Sequence, residues 1–143
     1  MLYTKKLSVG NRALDSEHRQ LLNIAEEIAR LVASSNSAFL SEAFVQMENR
    51  LHACSLLKES IAHAVGADCS RLQQSRKNLL DKIRQVRATL FEEGGPLSER
   101  EKCLRAHALS EHLIHYITVD CRPLKIVLDT HYYDFMPDNP VPA

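Results

Sequence analysis

The sequence predicts an all-α protein, and three observations support this fold class. Apolar residues recur at spacings of three and four along most of the chain, which is the period of an amphipathic helix. Only four glycines interrupt the 143 residues, and apolar residues make up 45% of the chain. A chain of this length can bury one core. We therefore predict a single domain in which four helices pack as an antiparallel up-down-up-down bundle.

The first two helices are predicted at about 13 to 35 and 40 to 65, with boundaries uncertain by ~2 to 4 residues. Asp15, in "LDSEH", is a candidate N-cap for the first helix. The inward stripe of this helix consists of His18, Leu21, Leu22, Ala25, Ile28 and Val32. The second helix follows the loop "SSNS", and Gly66 is expected to end it. Its inward stripe consists of Phe44, Met47, Leu51, Cys54, Ile61 and Val65.

The last two helices are predicted at about 69 to 91 and 98 to 121, with the same uncertainty. The third carries Leu72, Leu79, Ile83, Val86 and Leu90 at helical spacings, and "EEGGP" should end it. Ser98 and Glu101 form a capping-box pattern that opens the fourth helix. Pro123 should end or kink that helix. The predicted organisation is an N-terminal arm at 1 to 12, the bundle at 13 to 128 and a C-terminal tail at 129 to 143, whose last six residues, "DNPVPA", should fray.

Composition excludes several functional classes. The 18 basic residues are balanced by 18 acidic ones, so no nucleic-acid partner is expected. No apolar run approaches the length of a membrane span, and "MLYTKKLSVG" lacks the apolar centre of a secretory signal, so we expect a cytoplasmic protein. The four cysteines, which have no metal-binding spacing, are expected to be free thiols. No phosphate-binding loop, activated nucleophile or carboxylate pair indicates an enzyme.

Two short stretches contain side chains that can bind metals. His18 is on the inward stripe of the first helix, and "LIHYITVD" places His115 and Asp120 about one and a half turns apart on the fourth. We interpret His115 as inward-facing as well. A lone inward histidine is usually a core residue with a hydrogen-bond partner, but side chains from facing helices of a bundle can converge on a metal.

These stretches resemble bacterial hemerythrins. "SVGNRALDSEH" is similar to the opening of that family, in which a Ser-Val-Gly segment leads into an Ile-Asp-x-x-His motif. "HYITVD" is similar to the His-Ile-x-x-x-Asp motif of the family's last helix, with Tyr116 in place of the isoleucine. The resemblance extends from about Tyr3 to Leu128. It implies a four-helix bundle, and in the family this bundle holds two irons that bind dioxygen.

The resemblance puts His18, His115 and Asp120 at ligand positions, but the middle helices depart from the family. The family's second helix carries His-x-x-x-Glu and its third His-x-x-x-His. The corresponding residues here are Cys54, Lys58, Leu72 and Arg76. Most donors are therefore replaced, and two of the replacements are cations. We expect no di-iron site.

The two cations raise a further question about charge. Without metal, an inward Asp120 would be a buried carboxylate that costs several kcal/mol unless it is paired. An ion pair of Asp120 with Arg76, supported by Lys58, would resolve this. In the alternative, both cations extend to the surface and only their stems are buried.

The second helix carries another set of side chains that could bind a metal. His52, Glu59 and His63 share one stripe, with Glu48 a turn earlier, and would need partners from the fourth helix, namely His107, Glu111 or His112. A solvated helix face explains the same stripe more simply.

Two functions are consistent with the sequence. The first is a hemerythrin-like bundle without its di-iron centre, acting as a non-catalytic binding or regulatory module for an unidentified protein partner or small ligand. This function requires no cofactor and is compatible with a homo-oligomer. The alternative is a single iron or zinc held by His18, His115 and Asp120, with a role in oxygen or redox sensing.

Overall fold

The computed structural model describes residues 5 to 92, 95 and 97 to 137. Their helical elements are a short 3₁₀ turn (Lys5–Leu7), α1 (Arg12–Ala33), α2 (Ser37–Ala64), α3 (Ser70–Leu90), α4 (Glu99–His115), a π-helical segment (Tyr116–Asp120) and α5 (Arg122–Leu128). No β-strand occurs among the described residues. The all-α prediction is confirmed. Residues 1 to 4, residues 93, 94 and 96 of "EEGGP", and residues 138 to 143, for which the sequence also gave predictions, lie outside the described residues.

The start of α1 differs from the prediction. Its N-cap is Asn11, whose side-chain oxygen accepts a hydrogen bond of 3.1 Å from the backbone N–H of Leu14. Asp15 instead lies in the first turn, where it is buried and accepts a 2.9 Å hydrogen bond from the backbone N–H of Val9. The prediction that Asp15 caps the helix is therefore wrong. The backbone turns at Gly10, whose φ of +82° suits glycine, and this turn brings Val9 back towards Asp15.

Two other helix ends lie where the sequence predicts them. Gly66 follows the end of α2 with a φ of +74°, the left-handed conformation that commonly terminates helices. Ser98 caps α4, because its hydroxyl oxygen accepts a 3.2 Å hydrogen bond from the backbone N–H of Glu101.

The core lies between the four longer helices. α1 contacts both α2 and α4, and α3 contacts the same two helices. The apolar residues that fill the centre come from all four stripes and include Leu21, Ala25, Ile28, Phe44, Met47, Leu51, Ile61, Ile83, Leu109 and Leu113. None of the described helices combines the length and apolar character that crossing a membrane requires.

The end of the fourth helix contains an unpredicted change of register. The backbone N–H of Cys121 donates to the carbonyl of Tyr116 at 3.1 Å, a five-residue step in place of the usual four. Tyr116 and Cys121 are consequently both buried although five residues separate them. The helical run that begins with α4 ends at Asp120, just before Pro123, as predicted, and Pro123 itself lies in the first turn of the separate helix α5, where proline is tolerated.

Part of the predicted tail lies against the start of α1. The side-chain amide of Asn11 donates to the carbonyl of Phe135 at 2.7 Å, and the backbone N–H of Arg12 donates to the carbonyl of Tyr133 at 2.8 Å. The hydroxyl of Tyr133 donates to Asp15 at 2.8 Å. Through Tyr133 and Phe135, these hydrogen bonds hold the tail against the first turn of α1.

Candidate functional site

Lys58 is the most unusual residue of the interior. It lies on the buried face of α2, between Cys54 and Ile61, and only 1% of its surface is exposed. Its ammonium nitrogen makes no hydrogen bond to any described residue. That nitrogen instead lies 3.9 Å from the centroid of the Tyr116 ring, over its face. A cation–π contact of this kind is worth about 2 kcal/mol when it is shielded from water.

His18 reaches the same region from α1. It is fully buried, and neither of its ring nitrogens has a hydrogen-bond partner among the described residues. Its ring meets the ring of Tyr116 edge to face, with centroids 6.4 Å apart and planes inclined at 78°. Most buried polar atoms in proteins have partners, so the unpartnered nitrogens of His18 and Lys58 in one place are an exception that needs an explanation.

Tyr116 joins these two side chains. It is 1% exposed and comes from the π-helical segment, three residues after the buried Leu113. We name the three residues His18, Lys58 and Tyr116 the interior polar cluster. Sequence reasoning identified His18 and Lys58 as inward-facing, which the structure confirms, but it did not assign Tyr116 to the site. The signal available was the tyrosine in "HYITVD" at the position of the family's isoleucine.

The pKa shifts in the cluster follow from burial and from the lysine. Burial holds the pKa of His18 well below 6.5, and the charge of Lys58 lowers it further, so His18 is neutral. Burial raises the pKa of Cys54 and of Tyr116, and in both cases Lys58 opposes part of this rise. Burial lowers the pKa of Lys58, but Cys121, Cys54 and Tyr116 raise it by more, so it lies above its ordinary value. This rise depends on the ionised forms of Cys121, Cys54 and Tyr116, since an uncharged neighbour does not favour the ammonium form by charge.

His115 does not point into the core. Its side chain is 58% exposed, and its nearest acidic neighbour is Asp120, with 4.0 Å between His115 Nδ1 and the carboxylate. The inward positions around it are Leu113, Tyr116 and Ile117, and a residue two places after Leu113 falls on the opposite side of a helix. The prediction that His115 faces inward is therefore wrong.

Asp120 lies at the edge of the interior, with its side chain 26% exposed. It borders a groove of 260 Å³ together with residues from the connection between α2 and α3, from the start of α3 and from α5, namely Ala67, Asp68, Arg71, Leu72, Pro123, Leu124 and Val127. The ion pair expected between Asp120 and Arg76 is not found among the described residues, and Arg76 is half-buried. Because Asp120 is partly in water and next to His115, its charge does not require an internal cation.

The residues present do not suit a metal ion. Within the part of the chain that the structure describes, no three His, Cys, Asp or Glu side chains are grouped so that they could hold one. Cys54 and Leu72 are buried as predicted, and the amine of Lys58 lies in the same interior. His18 is thus separated in environment from His115 and Asp120, which lie at the surface.

The second candidate stripe lies on the outside of α2. His52 and His63 are exposed, and Glu59 is half-buried. Glu48 pairs with two arginines of α3, at 3.0 Å from Arg84 and 3.4 Å from Arg87. The possible partners on α4, namely His107, Glu111 and His112, are exposed or half-buried. The two histidines of this stripe therefore face solvent, and the two glutamates lie partly buried beside them. All four cysteines are free.

Comparison with protein-family models, with curated proteins and with solved structures found no match for this chain. The resemblance to bacterial hemerythrins therefore depends on the two motifs and on the helix order alone.

Proposed function

We propose that this chain is a divergent hemerythrin-like, antiparallel up-down-up-down four-helix bundle that works without a di-iron centre. Four longer helices of broadly similar length, each in contact with two others in a closed cycle, support this arrangement. Short connections such as residues 34 to 36, between α1 and α2, favour antiparallel neighbours.

The observation that carries the proposal is the burial of Lys58. By the family resemblance, this position on the second helix belongs to a metal-binding carboxylate. A buried ammonium group there supplies positive charge and no ligand atom, so it repels a metal cation that enters the same space. His18, the remaining inward ligand position, has a neutral ring beside this ammonium group.

The function that follows is a non-catalytic binding or regulatory module, acting in the cytoplasm on a protein partner or small ligand. Among the residues that the structure describes, the buried thiol of Cys54 has a raised pKa, which opposes thiolate chemistry and gives no support to an enzyme.

The test is a metal analysis of protein purified without chelator, combined with its near-ultraviolet spectrum. We expect substoichiometric iron and zinc and no oxo-to-iron charge-transfer band. About two irons per chain with such a band would overturn the proposal. About one ion per chain that disappears in His115→Ala, but persists in the control His107→Ala, would support the single-metal alternative instead.

A further inference from the structure

We infer that the outward face of α2 is a self-association surface, on which a second copy of this chain packs its own α2 in the antiparallel direction. The inference goes beyond the proposed function, because it concerns the outside of α2 and does not depend on whether the interior holds a metal ion.

The first argument is the scarcity of charge on the outward face of α2. Six exposed residues follow one another along this face at intervals of four and three, and we name them the α2 stripe: Glu42, Gln46, Asn49, Ala53, Leu56 and Ser60. Phe39 and His63, which are also exposed, continue the pattern at its two ends. Glu42 is the only acidic residue of these eight, and His63 is the only one that can become a cation.

The other charged residues of α2 are directed away from the stripe. Arg50 lies 3.5 Å from Glu17 of α1, and Glu48 lies 3.0 Å from Arg84 of α3. Lys58 is buried and Glu59 is half-buried. The exposed residues of α3, by contrast, include five charged ones, namely Arg71, Lys77, Asp81, Lys82 and Arg84. The face of α2 thus differs from an ordinary solvated helix face.

The second argument is the apolar surface on the same face. Phe39 is 60% exposed, Leu56 is 52% exposed, and Val45 beside them is 47% exposed. Depletion of charge together with exposed aromatic and aliphatic side chains is the composition of an interface core. Residues that alternate at intervals of three and four also form the line along which two long helices pack side by side.

The third argument identifies the occupant as a second copy. A two-fold symmetric interface uses the same patch on both subunits, so the patch must be complementary to itself. Glu42 lies near the start of α2 and His63 near its end, so antiparallel pairing brings each of them to the opposite end of the partner's stripe. Parallel pairing would place Glu42 against the partner's Glu42, which is unfavourable.

The middle of the stripe is complementary to itself as well. Gln46, Asn49 and Ala53 border a groove of 740 Å³ between α1 and α2, whose α1 side includes Gln20 and Asn23. A carboxamide both donates and accepts hydrogen bonds, so a face of carboxamides can pair with a copy of itself. With the two-fold axis at the middle of α2, Asn49 lies opposite the partner's Ala53, and Gln46 lies opposite the partner's Leu56.

The area of the stripe sets the strength of the contact. The 28 residues of α2 span about 42 Å, and a helix presents a strip about 10 Å wide, which gives about 400 Å². A stable interface buries about 800 Å² on each partner. The groove beside α1 adds to the contact, but the dimer remains a weak one, and we expect a dissociation constant on the order of 10 to 100 µM.

The first experiment is sedimentation equilibrium of the full chain between about 5 and 500 µM. The average mass should rise with concentration from the 16.2 kDa of one chain towards twice that value. Leu56→Glu places a charge on the stripe and should weaken association about tenfold or more. Leu104→Glu is the matched control, because Leu104 is 62% exposed on α4, and it should associate like wild type.

Three results would overturn the inference. A monomer at every concentration would mean that no second copy covers the stripe. Unchanged association of Leu56→Glu would place the contact on another face. An equal loss in Leu56→Glu and Leu104→Glu would indicate general apolar association. Circular dichroism of both variants, whose leucines are exposed, checks that the fold is retained.

The second experiment tests the antiparallel direction. Asn49→Cys and Ala53→Cys, oxidised together, should form a mixed disulfide dimer in severalfold higher yield than either variant oxidised alone. Oxidised wild type measures the background from the native thiols, of which Cys69 and Cys103 are half-buried. A yield no higher than this background, or preferential cross-linking of each variant to itself, would overturn the antiparallel arrangement.

Discussion

Replacing Lys58 by methionine is expected to make the protein more stable. Methionine has nearly the length of lysine, carries no charge and adapts its shape to irregular core spaces. The substitution therefore removes the ammonium group while it keeps most of the packing of α2 against Tyr116. Few substitutions at a position that is 1% exposed are expected to stabilise a protein, so the direction of the effect is informative.

The magnitude follows from two opposing contributions. Burying an ammonium group costs several kcal/mol after relaxation of its surroundings. The contact of Nζ with the Tyr116 ring, at 3.9 Å, recovers about 2 kcal/mol of this cost. No hydrogen bond adds to the recovery, because Nζ has no partner among the described residues. We expect Lys58→Met to increase the free energy of unfolding by about 1 to 3 kcal/mol.

Urea unfolding followed by circular dichroism at neutral pH measures this change. Lys77→Met is the matched control, and it should stay within about 0.5 kcal/mol of wild type because that lysine is exposed. Lys58→Ala should destabilise by about 2 to 5 kcal/mol, since it leaves a cavity. If Lys58→Met instead loses more than about 1 kcal/mol, the ammonium group has a strong partner within the protein and the reasoning is refuted.

Two further predictions concern the rest of the site and the tail. The folded state holds the pKa of His18 below the ordinary 6.5, so the unfolded chain binds more protons and stability is lost as the pH falls below about 6.5. The urea concentration at the midpoint of unfolding should fall less between about pH 7 and pH 5 in His18→Phe than in wild type. The control His52→Phe, at an exposed histidine, should show the wild-type dependence of the midpoint on pH. An equal dependence on pH in all three proteins would contradict the role of His18. Tyr133→Phe should lower the free energy of unfolding by about 1 to 2 kcal/mol, because it removes the 2.8 Å hydrogen bond to Asp15. Tyr132→Phe, at a residue that is 89% exposed, should leave the free energy of unfolding unchanged. Equal losses in the two variants by chemical denaturation would show that the tail does not stabilise α1.

Helix positions could be predicted from the sequence because each helix has its own local signals. The apolar stripe of α1, the left-handed Gly66 after α2 and the Ser98 cap of α4 are all determined within a few neighbouring residues. Asn11 and Asp15 show where this local information ends. Either side chain could cap a helix, and the choice depends on Val9 and Tyr133, the second of which is distant in sequence.

The candidate site was predictable only in part, because it depends on the register of the last helix. The inward position predicted for His115 disagrees with the apolar stripe of α4 itself, since His115 lies two residues after the buried Leu113. The buried positions are in fact Leu113, Tyr116 and Cys121, with the five-residue step of the π-helical segment between the last two. Such segments have no reliable sequence signal, although they are frequent at functional sites. Lys58 was predicted correctly because α2 is regular around it.

The presence of Lys58 in the core now lacks the explanation that the sequence suggested. That explanation required Asp120 to be buried and to need a cation, whereas Asp120 is partly exposed and lies 4.0 Å from His115. Packing does not require an ammonium group either, since methionine fills a similar space. The contact that the fold does offer the ammonium group is the face of the Tyr116 ring, whose centroid lies 3.9 Å from Nζ. The stability of Lys58→Met tests this argument directly: the variant should be more stable than wild type if burying the ammonium group costs more than its contact with the ring returns.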